Sequence, residues 1–264
     1  ITLNFWRFCL LSIILFCSYN FGVFALTHLF STVNSRKSFE SVILSVSLGL
    51  AGLSFTILFI GLSGILNESV IWCILIICFL LNLNSLGLIV KYDYIMLFQR
   101  LFKKVKNLDN YNKYLLFLLF LLIIMNLLGS LLAPMGVDDV KYHFAIPKRY
   151  LNNEIINFMP DIGFSNFPFP IEMLWTIAIA LDSGELAQLL NFSLGIIVLC
   201  WLYIISKKAS LDLQSIILSL CLFYSISNVG YQARSGSVEM GGVLFFLAGF
   251  YCLNEYMERN KYGI

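Results

Sequence analysis

The chain has 264 residues, of which 59% are hydrophobic and 12% are charged, with a formal net charge of +2 and a mean hydropathy of +0.86. Soluble domains carry about 25% charged residues. The low charge and the long apolar runs therefore exclude an ordinary soluble domain and indicate a polytopic α-helical membrane protein. The small net charge gives no indication of a nucleic-acid partner.

Seven apolar runs are long enough to cross a membrane, and polar segments separate them. They cover residues 8–29, 41–66, 70–90, 114–133, 186–206, 213–228 and 240–256. We therefore predict an all-α fold with about seven transmembrane helices. The first part, residues 1–133, is a group of membrane helices, and the second, residues 134–264, carries the polar residues of interest. We expect the second part to be truncated at its C-terminus.

Residues 91–113 form the most basic loop, with six Lys or Arg residues against two Asp residues. The positive-inside rule places this loop in the cytoplasm, so the next span carries the chain outward. Residues 94–105 alternate apolar and basic side chains at helical spacing. This pattern fits either an amphipathic helix bound to membrane lipid or a solvated loop.

The segment 171–181 is apolar but has only about eleven residues, which is too short to span a bilayer. We predict that it lies at the outer interface or dips partway into the membrane. Residues 134–185 then form one large outer loop with juxtamembrane amphipathic helices. The alternative counts 171–181 as a span, which places Lys207 and Lys208 outside and Glu239 inside. This arrangement disagrees with the positive-inside rule.

Two adjacent carboxylates, Asp138 and Asp139, precede a predicted amphipathic helix over residues 140–151. Helical spacing places Asp138 near Tyr142 and Asp139 near His143. One carboxylate is explained by an N-cap role at the helix start. Two carboxylates beside a bilayer, where charge is costly, indicate chemistry, because a carboxylate can act as a general base towards a hydroxyl.

Basic residues in the same segment can stabilise an anionic group such as a phosphate. Lys148 and Arg149 follow the acid pair by two to three helical turns, although side chains of this type also lie at membrane interfaces without a function. His143 can orient a carboxylate or contact the phosphate, or it can be structural. Pro147 removes a backbone donor, so we expect the helix to bend there.

Glu172 and Glu239 each begin a predicted helix, where an acid is favourable in any case. We treat both as candidate substrate-binding residues. The aromatic and proline-rich stretch 164–170 cannot form a regular helix. It is either an aromatic surface for a sugar ring or prenyl chain, or a wall that redirects the chain.

The outer loop resembles the corresponding loop of the GT-C superfamily of integral-membrane glycosyltransferases, which includes the aminoarabinose transferases and the protein mannosyltransferases. The motifs that carry the resemblance are Asp138-Asp139, Tyr142-His143, Pro147-Lys148, Tyr150-Leu151, Asn166-Phe167-Pro168 and Glu172-Met173-Leu174. In the later stretch SGSVEMGGVLF, Glu239 stands where an Asp is more usual in the family. The chain also differs in having three spans before the motif, where the best-known members have one.

The resemblance implies a membrane glycosyltransferase that takes its sugar from a polyprenyl-phosphate donor. The acceptor would be a glycan, lipid or protein hydroxyl on the extracytoplasmic side of the plasma (inner) membrane. It further implies that Asp138 is the catalytic base, with Asp139 as its catalytic neighbour. The implied substrate-binding residues are Tyr142, His143, Lys148, Arg149, Glu172 and Glu239.

No metal site is indicated with certainty, since the seven cysteines lie in apolar runs without ligand spacing. Because the superfamily includes metal-dependent and metal-independent enzymes, a divalent cation held by Asp138 and Asp139 stays open. The competing function is a transporter or flippase for a lipid-linked or anionic solute, with the acid pair as a cation or proton site. Such sites normally lie at mid-membrane on broken helices, and the predicted spans carry no charge at that depth.

Overall fold

The structure is a computed structural model that describes residues 2–29, 38–81, 108–165 and 170–261. Every regular element in these ranges is a helix, which confirms the predicted all-α class. The helices are α1 (Thr2–Phe24, followed by a π turn, Ala25–Leu29), α2 (Phe39–Leu62), α3 (Glu68–Leu80), α4 (Asn110–Ser130), α5 (Ala145–Asn153), α6 (Glu172–Leu181), α7 (Gly184–Lys208), α8 (Leu213–Ser225), α9 (Ser227–Arg234) and α10 (Glu239–Lys261). A further π turn, Asp139–His143, precedes α5.

Four helices in the described ranges are long and apolar enough to cross a membrane, and the bent pair α8–α9 makes a fifth if it is one span. The four are Leu3–His28, Phe39–Leu62, Asn110–Ser130 and Gly184–Lys208. These helices agree with a multi-pass membrane protein, while the count of seven spans stays a prediction. The first part of the predicted span 70–90 is α3, and residues 82–90 lie outside the described residues. Residues 91–107 of the basic loop 91–113 also lie outside them. The predicted span 240–256 lies within α10, which is long but less apolar than the four.

The helices α1 and α2 pack with very close backbones. A Cβ atom on Gly22 would overlap the carbonyl oxygen of Ser45, and one on Gly49 would overlap the carbonyl oxygen of Ser18. Without a hydrophobic driving force between helices in lipid, such small-residue contacts give membrane helices their van der Waals attraction. The glycines at this crossing therefore fix how α1 and α2 pack.

The α7 helix forms the centre of the bundle and packs against α10, α6, α9, α4 and α8. Of the four long apolar helices it is the most enclosed, whereas α4 is the least enclosed. At one end of the bundle, Lys208 at the last position of α7 pairs with Glu255 of α10. At the same end, the hydroxyl of Tyr251 donates to Glu40 at 3.2 Å.

The other end of the bundle carries Asp139, Asp182 and Glu239, and we call it the acidic end. Phe144 lies against both Gly184 and Gly236 there, so it joins the segment before α5 to the α6–α7 turn and to the loop before α10. Asp139 and Glu239 are close enough to influence each other's charge. This geometry disagrees with the alternative topology, which separates the acid pair from Glu239 by the membrane.

The short segment predicted over 171–181 is the helix α6, which has ten residues. Its first seven residues are buried between α2, α5 and α7. It begins beside the middle of α2, where the hydroxyl of Ser54 donates to the carbonyl of Pro170, and it ends at Asp182 beside Arg7 of α1. It is thus too short to span, as predicted. It is enclosed by other helices, however, and does not lie on an exposed interface.

Candidate functional site at the acidic end

The acid pair lies at a break between two helical segments. The predicted helix over 140–151 is present in two pieces, because the π turn Asp139–His143 comes first and α5 starts at Ala145. Pro147 consequently occupies the first turn of α5, where its missing N–H costs no hydrogen bond. The turn residue Phe144 separates the two pieces, three residues before Pro147. Single-turn π segments often lie at functional sites, because they redirect side chains.

The two carboxylates have different surroundings. Asp138 is exposed and makes no capping hydrogen bond, so the N-cap explanation of this residue is not supported. Asp139 is only 2% exposed, and its Oδ2 atom has no hydrogen-bond partner in the described part of the chain. Asp138 can thus reach a substrate directly, whereas Asp139 is an enclosed and incompletely paired acid.

Burial raises the pKa of Asp139 above its ordinary value. The backbone N–H of Gly236 and the nearby ring of His143 oppose this shift, while the charges of Asp138 and Glu239 add to it. A Cβ atom on Gly136 would lie 2.5 Å from Oδ2 of Asp139 and 2.9 Å from the hydroxyl of Tyr231. A side chain at position 136 would therefore collide with both groups.

His143 and Glu172 form a buried pair that joins the π turn to α6. Nδ1 of His143 lies 2.8 Å from Oε1 of Glu172, although 29 residues separate them in the chain. The exposed fractions of the two residues are 8% and 3%. Glu172 is thus more than a helix-start acid, because its carboxylate has a specific partner.

Tyr142 lies between the acids and an aromatic neighbour. Burial, the first cause, and the adjacent charge of Asp138 raise the pKa of its hydroxyl, and Glu239 and Glu172 contribute to the shift. Its ring lies tilted against the ring of Phe164, with centroids 4.7 Å apart. Phe164 belongs to the aromatic stretch predicted over 164–170, of which residues 166–169 lie outside the described residues. The observed part is an aromatic surface next to the carboxylates.

Lys148 and Arg149 do not join this cluster. Both are exposed on α5, and Arg149 pairs with the exposed Asp161. Lys148 makes no ion pair with the described residues. Glu239 is exposed, and its place at the start of α10 brings it near Asp139 and Tyr142.

The loop before α10 is fixed by groups that the sequence analysis did not single out. The side-chain amide of Asn191 donates to the carbonyls of Gln232 and Ser235, both at 2.7 Å. The indole N–H of Trp175 donates to the carbonyl of Gly236 at 2.9 Å. Asn191 could have been noticed in the sequence as a polar residue inside an apolar helix, because a buried amide requires hydrogen-bond partners.

A second missed feature is an ion cluster at the edge of the acidic end. Arg7 is only 7% exposed and lies 2.8 Å from Asp182 and 3.6 Å from Glu185. The position of Arg7 next to the first apolar run could have indicated this cluster, because charges close to the membrane core are usually paired. This cluster attaches α1 to the α6–α7 turn.

The described residues contain no group of three or more His, Cys, Asp and Glu side chains arranged to hold a metal ion. Of the two carboxylates, Asp138 is exposed while Asp139 is enclosed. The divalent cation stays a prediction of the sequence alone.

Comparisons with known proteins give no relative for this chain. No protein-family model, no curated protein and no solved structure matches it. The structure of the acidic end is therefore the basis for assigning a function to this chain.

Proposed function

We propose that this protein is a membrane glycosyltransferase that moves a sugar from a polyprenyl-phosphate donor to an acceptor hydroxyl of a glycan, lipid or protein. The observation that carries the proposal is the convergence of three separate segments at the acidic end. They bring together an exposed carboxylate, an enclosed and incompletely paired carboxylate, a His–Glu pair and an aromatic surface. An end of the bundle with both exposed and enclosed polar groups suits a reaction between a lipid-bound donor and an acceptor hydroxyl.

Asp138 is the proposed general base, because it is the accessible member of the acid pair. It removes the proton of the acceptor hydroxyl while the hydroxyl oxygen bonds to the anomeric carbon. The bond from that carbon to the phosphate oxygen breaks, and the lipid phosphate leaves with the electron pair. A single displacement of this kind inverts the anomeric configuration. Tyr142 and Phe164 offer a surface against which a sugar ring can stack.

The site is proposed to lie on the extracytoplasmic side of the plasma (inner) membrane. Lys207 and Lys208 end α7 at the end of the bundle opposite the acidic end, and the positive-inside rule assigns such residues to the cytoplasm. The predicted cytoplasmic loop 91–113 agrees with this orientation.

Replacement of Asp138 by Asn tests the proposed chemistry. We expect transfer from a lipid-phosphate-linked sugar to fall by roughly 10²- to 10⁴-fold, the range typical of lost general-base catalysis. Glu154→Gln is the matched control, since Glu154 is an exposed acid of the same segment outside the cluster. Full transfer by the Asp138→Asn protein would remove Asp138 from this role.

Sidedness is tested separately, with single cysteines at positions 138 and 239 in a cysteine-free background. We expect both to react with an impermeant thiol reagent added to whole cells. Labelling only after the membrane is opened would contradict the extracytoplasmic site.

A transporter is the second candidate, and one observation favours it. The pair α8–α9 is a broken helix with a bend of 72°. Its second half carries Tyr231, whose hydroxyl lies beside Gly136 and the enclosed Asp139. Broken helices next to acids are typical of ion-coupled transporters. Uptake or flipping that depends on Asp139, in a protein without transferase activity, would favour this alternative.

A further inference from the structure

Arg234, the last residue of α9, is a cation at the acidic end without an acidic partner. It is exposed, and it makes no ion pair with any of the described residues. Arg7 and Arg149, in contrast, pair with Asp182 and Asp161. Because arginine side chains remain charged in proteins, the guanidinium of Arg234 is available to an anion from outside the chain.

The side chain of Arg234 lies against the last turn of α4. A Cβ atom on Gly129 would be 2.6 Å from the Cδ atom of Arg234 and 3.5 Å from its Nε atom. About one turn earlier on both helices, a Cβ atom on Gly230 would be 3.3 Å from Oδ1 of Asn126. A side chain at position 129 would therefore collide with the arginine stem, which rests on α4 and does not extend freely into water.

The backbone on both sides of Arg234 is fixed from the centre of the bundle. The side-chain amide of Asn191, on α7, donates to the carbonyl of Gln232 and to the carbonyl of Ser235, both at 2.7 Å. A planar guanidinium on such a backbone is oriented before a ligand arrives. This orientation lowers the entropy cost of binding a phosphate with several hydrogen bonds.

An apolar stripe on α4 leads to this guanidinium. The stripe consists of Leu121, Met125 and Leu128, which are exposed and follow one another at helical spacing. Gly129, against which the arginine lies, comes directly after Leu128. The α4 helix is also the least enclosed of the four long apolar helices. A lipid chain that lies along the stripe therefore brings its head group to the cation.

We propose that Arg234 and the apolar stripe of α4 bind the lipid donor, with the prenyl chain along the stripe and the phosphate on the guanidinium. The identity of this lipid as a sugar donor rests on the proposed function. In the transfer step the bond between the anomeric carbon and the phosphate oxygen breaks, and the electron pair goes to that oxygen. The guanidinium stabilises the added charge by hydrogen bonds, while Asp138 takes the proton of the acceptor.

The acids of the acidic end lie apart from this cation. Asp138, Asp139 and Glu239 are all beyond ion-pair distance of Arg234. They belong to the segment after α4 and to the start of α10, whereas the guanidinium lies over α4 itself. The acids thus leave the guanidinium free, and a phosphate on the α4 side has its charge compensated there.

This assignment differs from the one that the sequence favours, which uses Lys148 and Arg149. Arg149 already pairs with Asp161. Lys148 is unpaired among the described residues, but it is exposed on α5, which packs on α6 and on the π turn. Arg234 is the cation that combines a free charge with a position on the lipid-facing helix.

The test measures lipid binding by native mass spectrometry of the intact protein in neutral detergent micelles. The probe is geranylgeranyl phosphate, which has a prenyl chain and a phosphate but no sugar. Geranylgeraniol lacks the phosphate, and inorganic phosphate lacks the chain, so we expect neither to bind comparably. Phosphatidylglycerol represents the phosphate of ordinary membrane lipid. If it binds as well as geranylgeranyl phosphate, the assignment to a prenyl donor is overturned.

Arg234→Met separates the charge from the packing, because methionine keeps an unbranched stem on Gly129 but lacks the guanidinium. We expect geranylgeranyl phosphate to bind roughly 10- to 100-fold more weakly, as for the loss of a hydrogen bond to a charged group, with little change in thermal unfolding. Arg149→Met is the matched control, since Arg149 is an exposed arginine that already has a partner. Unchanged binding in Arg234→Met, or an equal loss in Arg149→Met, would overturn the site.

A transfer assay distinguishes failure of this site from failure of the proposed function. When the protein transfers sugar, we expect Arg234→Met to raise KM for the lipid donor. If no transfer is found but binding of geranylgeranyl phosphate depends on Arg234, the lipid-phosphate site stands and the glycosyltransferase proposal fails. If transfer is found and Arg234→Met changes neither binding nor transfer, the site assignment alone fails.

Discussion

Replacing Asp139 by asparagine should stabilise the protein at neutral and alkaline pH while it disturbs the acidic end. The carboxylate is 2% exposed, one of its oxygens has no partner among the described residues, and burial raises its pKa. An incompletely paired buried polar group costs roughly 1–3 kcal/mol, more when charged. The introduced amide removes the charge from this buried position. We expect the free energy of unfolding to rise by about 1 kcal/mol, near the lower limit of that range.

The sign of the pH dependence follows from the direction of the shift. A carboxyl group whose pKa is higher in the folded than in the unfolded state costs stability once the pH rises above its ordinary value of 3.8. Below that value Asp139 is protonated in both states, so the cost disappears. The advantage of Asp139→Asn should therefore be absent at strongly acidic pH, grow as the pH rises, and become constant above the raised pKa.

Thermal unfolding in micelles, followed by tryptophan fluorescence at several pH values, measures this effect. One kcal/mol corresponds to a shift in Tm of about 2–4 °C for a chain of this size class. Asp138→Asn is the control, because the exposed neighbour should show no comparable pH-dependent gain. An Asp139→Asn protein that is less stable than the original at pH 8, or whose advantage does not change with pH, would refute the reasoning.

Three other substitutions test the packing that supports the site. Gly49→Val should prevent the close α1–α2 crossing and abolish folded protein in a size-exclusion assay, whereas Gly242→Ala, with open space around it, should be tolerated. Arg7→Gln should cost less than the roughly 3–5 kcal/mol of a fully buried pair, because the acids that it leaves without their cation are only partly buried. Adding Asp182→Asn should recover part of this loss in a double-mutant cycle of thermal unfolding. Trp175→Phe should cost about 1 kcal/mol in the same assay, through the lost hydrogen bond to the loop before α10.

Local patterns predict the helices well, because hydrophobic length and capping residues act within one element. The prediction that the segment 171–181 is too short to span is confirmed. The bend expected at Pro147 stays a prediction, and a proline does not indicate that the residues before it form a π turn. Such a turn depends on where its side chains must point in three dimensions.

The residues of the acidic end are easier to predict from the sequence than the contacts between them. Asp138, Tyr142 and His143 can be recognised from one short motif. The bond from His143 to Glu172 spans 29 residues, and neither helical spacing nor charge identifies partners at that distance. Lys148 and Arg149 are attractive candidates because they are basic and close in sequence, yet the direction of α5 leaves them on its exposed face.

The attachment of Arg7 to Asp182 also has a consequence for the order in which the protein assembles. The two residues are 175 positions apart, so α1 is made and enters the membrane long before its acidic partners exist. Until the α6–α7 turn arrives, the arginine must remain at the water boundary, where its charge is solvated. The first helix can reach its final depth only when the later part of the chain is in place, which couples the completion of the acidic end to the last steps of folding.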